Sequence, residues 1–274
     1  AKNKAAFVWG RLAAVDLPSV IAAAGLEDGA EEKAETLDDL IDRRADLLTA
    51  YQDERLADRY RTLVRRVCEK EAAVSGGHAL AETVARNYAK LLAYKDEYEV
   101  ARLYSDRVFK RALADRFGDV GRVRVWLAPP LLAARDPETG RLVKRAYGPW
   151  VLTAMRFLAK LRGLRGTRFD PFGRTLERRR ERRLIANYET TVDRILAALS
   201  PDNVGAAAAL AALPDRVRGY GHVKEASMDR YEDEAAKRLE AFERTSSQGA
   251  ATATRISAPA LATAGNKGTG SAHP

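Results

Sequence analysis

The chain has 274 residues, 46% of them hydrophobic and 31% charged, which is enough apolar material for one large core beneath a heavily charged surface. Its formal charge of +9 and pI near 9.7 point towards anionic partners, and no stretch approaches the roughly 20 apolar residues of a membrane span. The single cysteine, Cys68, excludes an internal disulfide framework or a multi-thiolate cluster, and His78, His222 and His273 are too scattered for a zinc pair, so a cytoplasmic setting is expected.

In chain order the pattern is helix after helix. Residues 3–15 read as a helix, with neither a signal-peptide core nor a cleavage site; Ala1 rather than Met at the start fits a piece of a longer polypeptide. Pro18 near its start and Gly25 past its end bracket a short second helix. Residues 26–35 (LEDGAEEKAE) are acidic and poor in apolar groups, a linker by composition. Thr36 caps an amphipathic helix through Leu37, Leu40, Ile41, Leu47, Leu48 and Tyr51, with Asp38 and Asp39 at its positive end. Further helices carry Leu56 to Val67, Leu80 to Leu92, Val100 to Tyr104 and Phe109 to Phe117. At residue 122 the period changes: Val123, Val125 and Leu127 alternate with Arg122, Arg124 and Trp126, and 142–147 supplies a partner strand after the turn 136–140. Pro149 opens another helix, 163–173 forms a loop, and a long helix follows from Thr175. Ser200-Pro201 reads as the N-cap and first position of the next helix, Pro214 stops it, and a last charged helix runs to about Arg244. The Ser/Gly/Thr/Ala-rich remainder, 245–274, is expected to be disordered. The fold expected is thus mostly α: a multi-helix domain over 36–244 with a small β-hairpin or sheet around 122–147.

Positive charge is concentrated. Between Arg156 and Arg183 eleven Lys or Arg stand against three acids, and Arg178, Arg179 and Arg182 lie in its densest run. Without a helix-turn-helix, zinc finger or RNA-binding signature, that run reads first as a helix face pairing with an acidic neighbour. A phosphate-bearing ligand comes second and nucleic acid last. The loop 216–225 gathers Arg216, Arg218, His222 and Lys224 around Gly219 and Gly221, an anion-site candidate; its plainer alternative is a helix-to-helix turn. Lys95-Asp96-Glu97 offers paired carboxylates, whose default is a solvated surface. GxGxxG and GxxxxGK[ST] loops, a nucleophile elbow and metal-ligand spacing are all missing.

Five strings go beyond periodicity: YKDEYEVARLY (94–104), LAPPLLAARDPETGRLVKRAYGPW (127–150), LAKLRGLRGTRFDPFGRTLERR (158–179), RRLIANYE (182–189) and LPDRVRGYGHVKEA (213–226). They resemble the C-terminal region of the fused indolepyruvate ferredoxin oxidoreductases, of the 2-oxoacid:ferredoxin oxidoreductase group. KAAFVWGRLAA (4–14) is similar to the close of the gamma-type domain that precedes it there, so 1–25 would be that domain's helical end. The resemblance covers about residues 1–245. It implies a parent enzyme, a homodimer, that oxidatively decarboxylates aryl pyruvates to aryl-acetyl-CoA and reduces ferredoxin, using thiamine diphosphate, Mg²⁺, [4Fe–4S] clusters and CoA. The thiamine GDG signature and the cluster cysteines are not in this sequence, and Glu27-Asp28-Gly29 is no substitute. No catalytic residue carries over. What the resemblance leaves here is a structural and interface domain, with the thiamine-binding domain, the gamma domain and ferredoxin as partners. The alternative is a stand-alone basic helical module for nucleic acid or another polyanion.

Overall fold

A computed structural model of the chain describes residues 2–25, 35–118, 123–129, 133–134, 136–137, 143–219 and 222–257. Contacts divide the chain into two compact units, residues 1–40 and 41–274.

The first unit contains α1 (Lys2–Val15) and α2 (Leu17–Ala24). Asp16 caps α2 by accepting the Ser19 N–H at 3.1 Å, and Gly25 closes it at φ 63°, a left-handed conformation that a β-carbon disfavours. Phe7, Val8, Trp9, Leu12, Val15 and Leu17 are exposed along these two helices. The acidic linker expected at 26–35 lies outside the described residues except for Glu35. Thr36 and Asp39 form a reciprocal capping box, with the Asp39 N–H on Thr36 Oγ1 and the Thr36 N–H on Asp39 Oδ2, both at 3.1 Å. The helix they start, α3 (Leu37–Tyr51), crosses the boundary between the units.

The second unit is the helical domain. α4 (Glu54–Ser75) starts at Asp53, whose carboxylate takes the Leu56 N–H, and ends at Gly76 with φ 69°. It packs on α5 (Ala79–Leu92). No side chain of its own caps α5; Glu71 of α4, fully buried, accepts the Leu80 and Ala81 N–H groups at 2.9 and 2.8 Å. The dipole of α5 and a pair of charge-assisted bonds thus hold a carboxylate inside the core. α9 (Leu176–Ala197) and α10 (Val204–Ala211) cover the other sides of α5. At the centre the rings of Tyr60, Tyr88 and Tyr188 stack at 6.0 and 6.1 Å, and the Tyr60 and Tyr188 hydroxyls donate to the Ala85 and Ala211 carbonyls.

α6 (Glu97–Ser105) and α8 (Trp150–Lys160) form a second centre around Ala101, Met155 and Ala159. α7 (Arg107–Phe117) follows α6. Two short strands, β1 (Val125–Leu127) and β2 (Arg145–Tyr147), pair antiparallel with Val125 opposite Tyr147, and Leu127 packs against the α6–α8 core. The hairpin expected from alternation is present, with three-residue strands in place of the longer runs. The turn expected at 136–140 is described only at Asp136 and Pro137.

Two helix boundaries differ from expectation. Ser200-Pro201 does not open α10; the Ser200 N–H donates to Asn203 Oδ1 at 2.8 Å and Asn203 donates to the Ala198 carbonyl at 2.7 Å, so 200–203 closes a turn and the helix begins at Val204. The Asn203 side chain bonds to backbone on both sides of the turn, which holds 198–203 out of the helix. The last helix, α11 (His222–Ser257), continues past Arg244, and residues 258–274 lie outside the described residues.

Candidate functional site

Four of the strings that carry the family resemblance, 94–104, 158–179, 182–189 and 213–226, meet at one buried ionic cluster. It forms where the end of α3, the 93–96 turn, the 163–175 loop and the start of α9 meet. Asp96 caps α6 by accepting the Glu99 N–H at 2.8 Å, and it also receives two bonds from Arg165, at 2.5 and 2.9 Å. Both side chains are almost sealed, at 4% exposed for Arg165 and 3% for Asp96. The Arg165 guanidinium lies 3.6 Å over the Tyr51 ring and donates to the Tyr51 carbonyl at 2.8 Å. Burial works to strip its proton, but the bonds with Asp96 more than offset that and hold its pKa above the ordinary arginine value.

Asp170 organises the loop beside this pair. It accepts the Gly166 N–H at 2.8 Å, the Phe172 N–H at 3.1 Å and the Tyr98 hydroxyl at 3.2 Å. Gly173 is required at the end of that loop: a β-carbon there would stand 2.8 Å from Asp170 Cγ and 3.2 Å from Arg182 Nη1. Arg182 donates to the Gly173 carbonyl at 2.6 Å, which ties α9 to the loop.

A second group of charges joins α9 to α6 and α11. Arg178 donates to Glu181 at 2.5 Å and approaches Glu97 at 3.6 Å. Lys224 grips the other oxygen of Glu181. Arg165, Arg178 and Lys224 therefore stand against Asp96, Glu97 and Glu181. Burial raises the Glu97 carboxyl above the usual carboxylate range against the pull of Arg178, and burial likewise raises the hydroxyls of Tyr51, Tyr94 and Tyr98. Glu97 Oε2 and Arg182 Nη1 are buried with no hydrogen-bond partner.

The run at 178–183 is thus no uniform solvated face. Arg178 is buried, Arg180 pairs with Asp229 and Glu232, and Arg179, exposed, donates to the Arg174 carbonyl. Nor does the 216–225 loop present one cluster of cations. Arg216 pairs with Glu234 at 2.6 Å, Arg218 reaches the Asp215 carbonyl at 2.9 Å, and Lys224 goes to Glu181. The His222 side chain lies outside the described residues, as do Tyr220 and Gly221. Gly219, at φ 99° and hard against Val223, makes the turn. Expected as solvated, Asp96 is instead buried, because it serves as helix cap and ion-pair partner at once. Sequence reasoning gave Arg165 no role beyond its share of the basic segment 156–183 and passed over Glu71. Each sits among ordinary charged helix or loop residues, and only the partner, 69 positions away for Arg165 and on the neighbouring helix for Glu71, gives it a role. Chemically, the cluster is a staple: Arg165 holds Asp96, and Arg178 and Lys224 hold Glu181, while Glu97 Oε2 and Arg182 Nη1 stay without hydrogen-bond partners.

Residues 37–237 match a family model described as a family of unknown function, DUF6537, and the chain belongs to that family. The match contains every residue of the buried cluster. No curated protein and no solved structure matches the chain.

Proposed function

We propose that this chain is the C-terminal structural and interface domain of an indolepyruvate-type ferredoxin oxidoreductase, not catalytic by itself. The observation that carries the reading is the coincidence of the resembling strings with the ionic staple: Asp96, Glu97, Arg165, Asp170, Arg178 and Lys224 all fall in those strings and all are engaged within the fold, Arg178 and Lys224 on Glu181 just between two of them. Strings spent on holding helices together are what a scaffold domain needs, and a catalytic domain would instead leave such groups open to substrate. The family match carries no activity of its own.

The iron–sulfur clusters of such an enzyme do not fit the thiols of this chain. A [4Fe–4S] cluster takes four thiolates and the chain has Cys68 alone, and among the described residues no group of three His, Cys, Asp or Glu is placed to hold a metal. In this proposal thiamine diphosphate, Mg²⁺, the clusters and CoA sit on other domains of a cytoplasmic, homodimeric parent, and this chain packs against the thiamine-binding and gamma domains. Among the described residues, no helix is long and apolar enough to cross a membrane. The stand-alone polyanion module is the weaker reading, because Arg178, Arg180, Arg216 and Lys224 are already paired with carboxylates of the chain itself.

The test is the natural polypeptide that contains this segment, purified from its own gene and assayed for reduction of ferredoxin with indolepyruvate and CoA. Bound thiamine diphosphate, iron and turnover are the expected result. An open reading frame that holds neither a thiamine nor a cluster region, or a purified polypeptide without iron, refutes the proposal.

A further inference from the structure

α8 is apolar on two sides. Its inner side, Val151, Met155 and Ala159, is buried. Trp150 and Phe157 on the other side are 63% and 67% exposed, and Ala154 between them is exposed as well. At about 100° per residue these three positions fall within roughly 60° of one another, on a face centred about 130° from the buried side. They form a ridge with the i, i+4, i+7 spacing that one helix shows to another. Rings of this size bury about 150–250 Å² each when covered. The Tyr147 ring of β2 meets Trp150 edge-on at 5.9 Å, which holds the indole at the start of the ridge.

The rim of this ridge has one sign. Arg156 and Lys160 on α8, Lys144 just before β2 and Arg145 on it, and Arg168 and Arg174 in the following loop are all exposed, and among the described residues none has an ion pair with a carboxylate. From Arg141 to Thr175 the sole acid is Asp170, which is buried. Other exposed arginines, such as Arg59 with Glu189, Arg194 with Glu243 and Arg216 with Glu234, are matched by carboxylates, whereas within 141–175 around α8 no exposed acid is at hand.

We infer that the outer face of α8, Trp150, Ala154 and Phe157 within a rim of Arg156, Lys160 and Arg145, is a docking surface for an acidic protein partner that lays an amphipathic helix along it, apolar stripe inward and carboxylates at the edge. Charge complementarity selects this occupant. A second copy of the chain would bring another +9 and an equally basic rim. A nucleic-acid strand seeks a groove lined with stacking platforms, whereas this is a convex ridge. Aromatic anchors with arginine and a depleted carboxylate count are also the usual make-up of a protein interface core. The surface stands on α8 and its neighbours alone, whether or not the parent is an oxidoreductase.

The full chain is titrated at low salt into a fluorescein-labelled synthetic helical peptide with a Leu/Phe stripe flanked by Glu, and anisotropy is followed. Two controls accompany it: a permuted peptide of the same composition without the stripe, and a labelled oligothymidylate. Saturable binding of the striped peptide is expected, weakened by salt and roughly tenfold or more by Phe157→Asp or by Arg156→Glu with Lys160→Glu. Arg55→Glu, an exposed change on α4, should leave it unchanged. A peptide with Lys in place of Glu should prefer the charge-reversed chain over the wild type. Far-UV circular dichroism checks that each variant keeps its helices. Equal binding of the permuted peptide, affinity indifferent to Phe157→Asp, no binding of the striped peptide, or an oligothymidylate that binds in its place and is lost on Phe157→Asp would each overturn the inference.

Discussion

Replacing Asp96 by Ala removes the acceptor of the Glu99 N–H at the start of α6 and both bonds to Arg165. Loss of an N-cap costs about 1 kcal/mol. The stranded guanidinium is the larger effect, since Arg165 is 4% exposed and water cannot reach it without opening the 163–175 loop. Removing one partner of a buried pair costs about 3–5 kcal/mol, and the Tyr51 carbonyl and ring that Arg165 retains place the loss towards the lower end. The sum, about 4–5 kcal/mol, takes most of the roughly 5–15 kcal/mol that holds a domain folded. The companion change Arg165→Met removes the stranded charge, so the double variant should recover about 2 kcal/mol or more of the single-variant loss. Urea unfolding followed at 222 nm measures both, read from midpoints at unchanged slope. A loss below about 1.5 kcal/mol for Asp96→Ala, or a double variant no more stable than the single, would refute the view of the pair as a buried staple.

Three further expectations use other parts of the fold. Gly173→Ala places a methyl against the Asp170 carboxylate and Arg182, and should cost about 1–3 kcal/mol, read as a lower Tm; an unchanged Tm would mean the 166–173 loop yields freely. Glu71→Ala leaves the Leu80 and Ala81 N–H groups buried without an acceptor and should cost about 2–4 kcal/mol by denaturant unfolding, with Glu71→Gln intermediate because it keeps one acceptor oxygen. Burial raises the hydroxyls of Tyr51, Tyr60, Tyr88, Tyr98 and Tyr188 above the usual value, and that of Tyr231 is pushed up to about 12. A folded-state pKa above the unfolded one gives stability that is complete below about pH 10 and lost as pH rises further. Tyrosinate absorbance at 295 nm from these rings should therefore appear together with loss of ellipticity, and ionisation ahead of unfolding would contradict it.

Much of this architecture was legible along the chain because its signals are local. The capping box of Thr36 and Asp39, the glycine stops at Gly25 and Gly76, and the apolar spacing through Leu80, Val84 and Tyr88 depend on residues within a turn or two of one another. Alternation through Val125 and Leu127 located the hairpin for the same reason. Ser200-Pro201 misled because a serine followed by proline is equally suited to a helix start and to a turn, and Asn203 decided for the turn with its side chain.

The fate of the charges was decided only in three dimensions. By sequence, 178–183 is a basic run broken only by Glu181, and 94–99 is one solvated turn. Folding sorts them individually: Arg178 goes inward to Glu97 and Glu181, Arg180 goes to Asp229 and Glu232, and Asp96 is sealed against Arg165. Period and composition thus determined a mostly helical, basic chain with one thiol and enough apolar residues to bury a core, because period, charge and counts are properties of the chain itself. Tertiary structure decided which cations are spent inside the fold and which, around Trp150 and Phe157, remain for a partner, because an ion pair depends on distances between residues that the sequence leaves far apart.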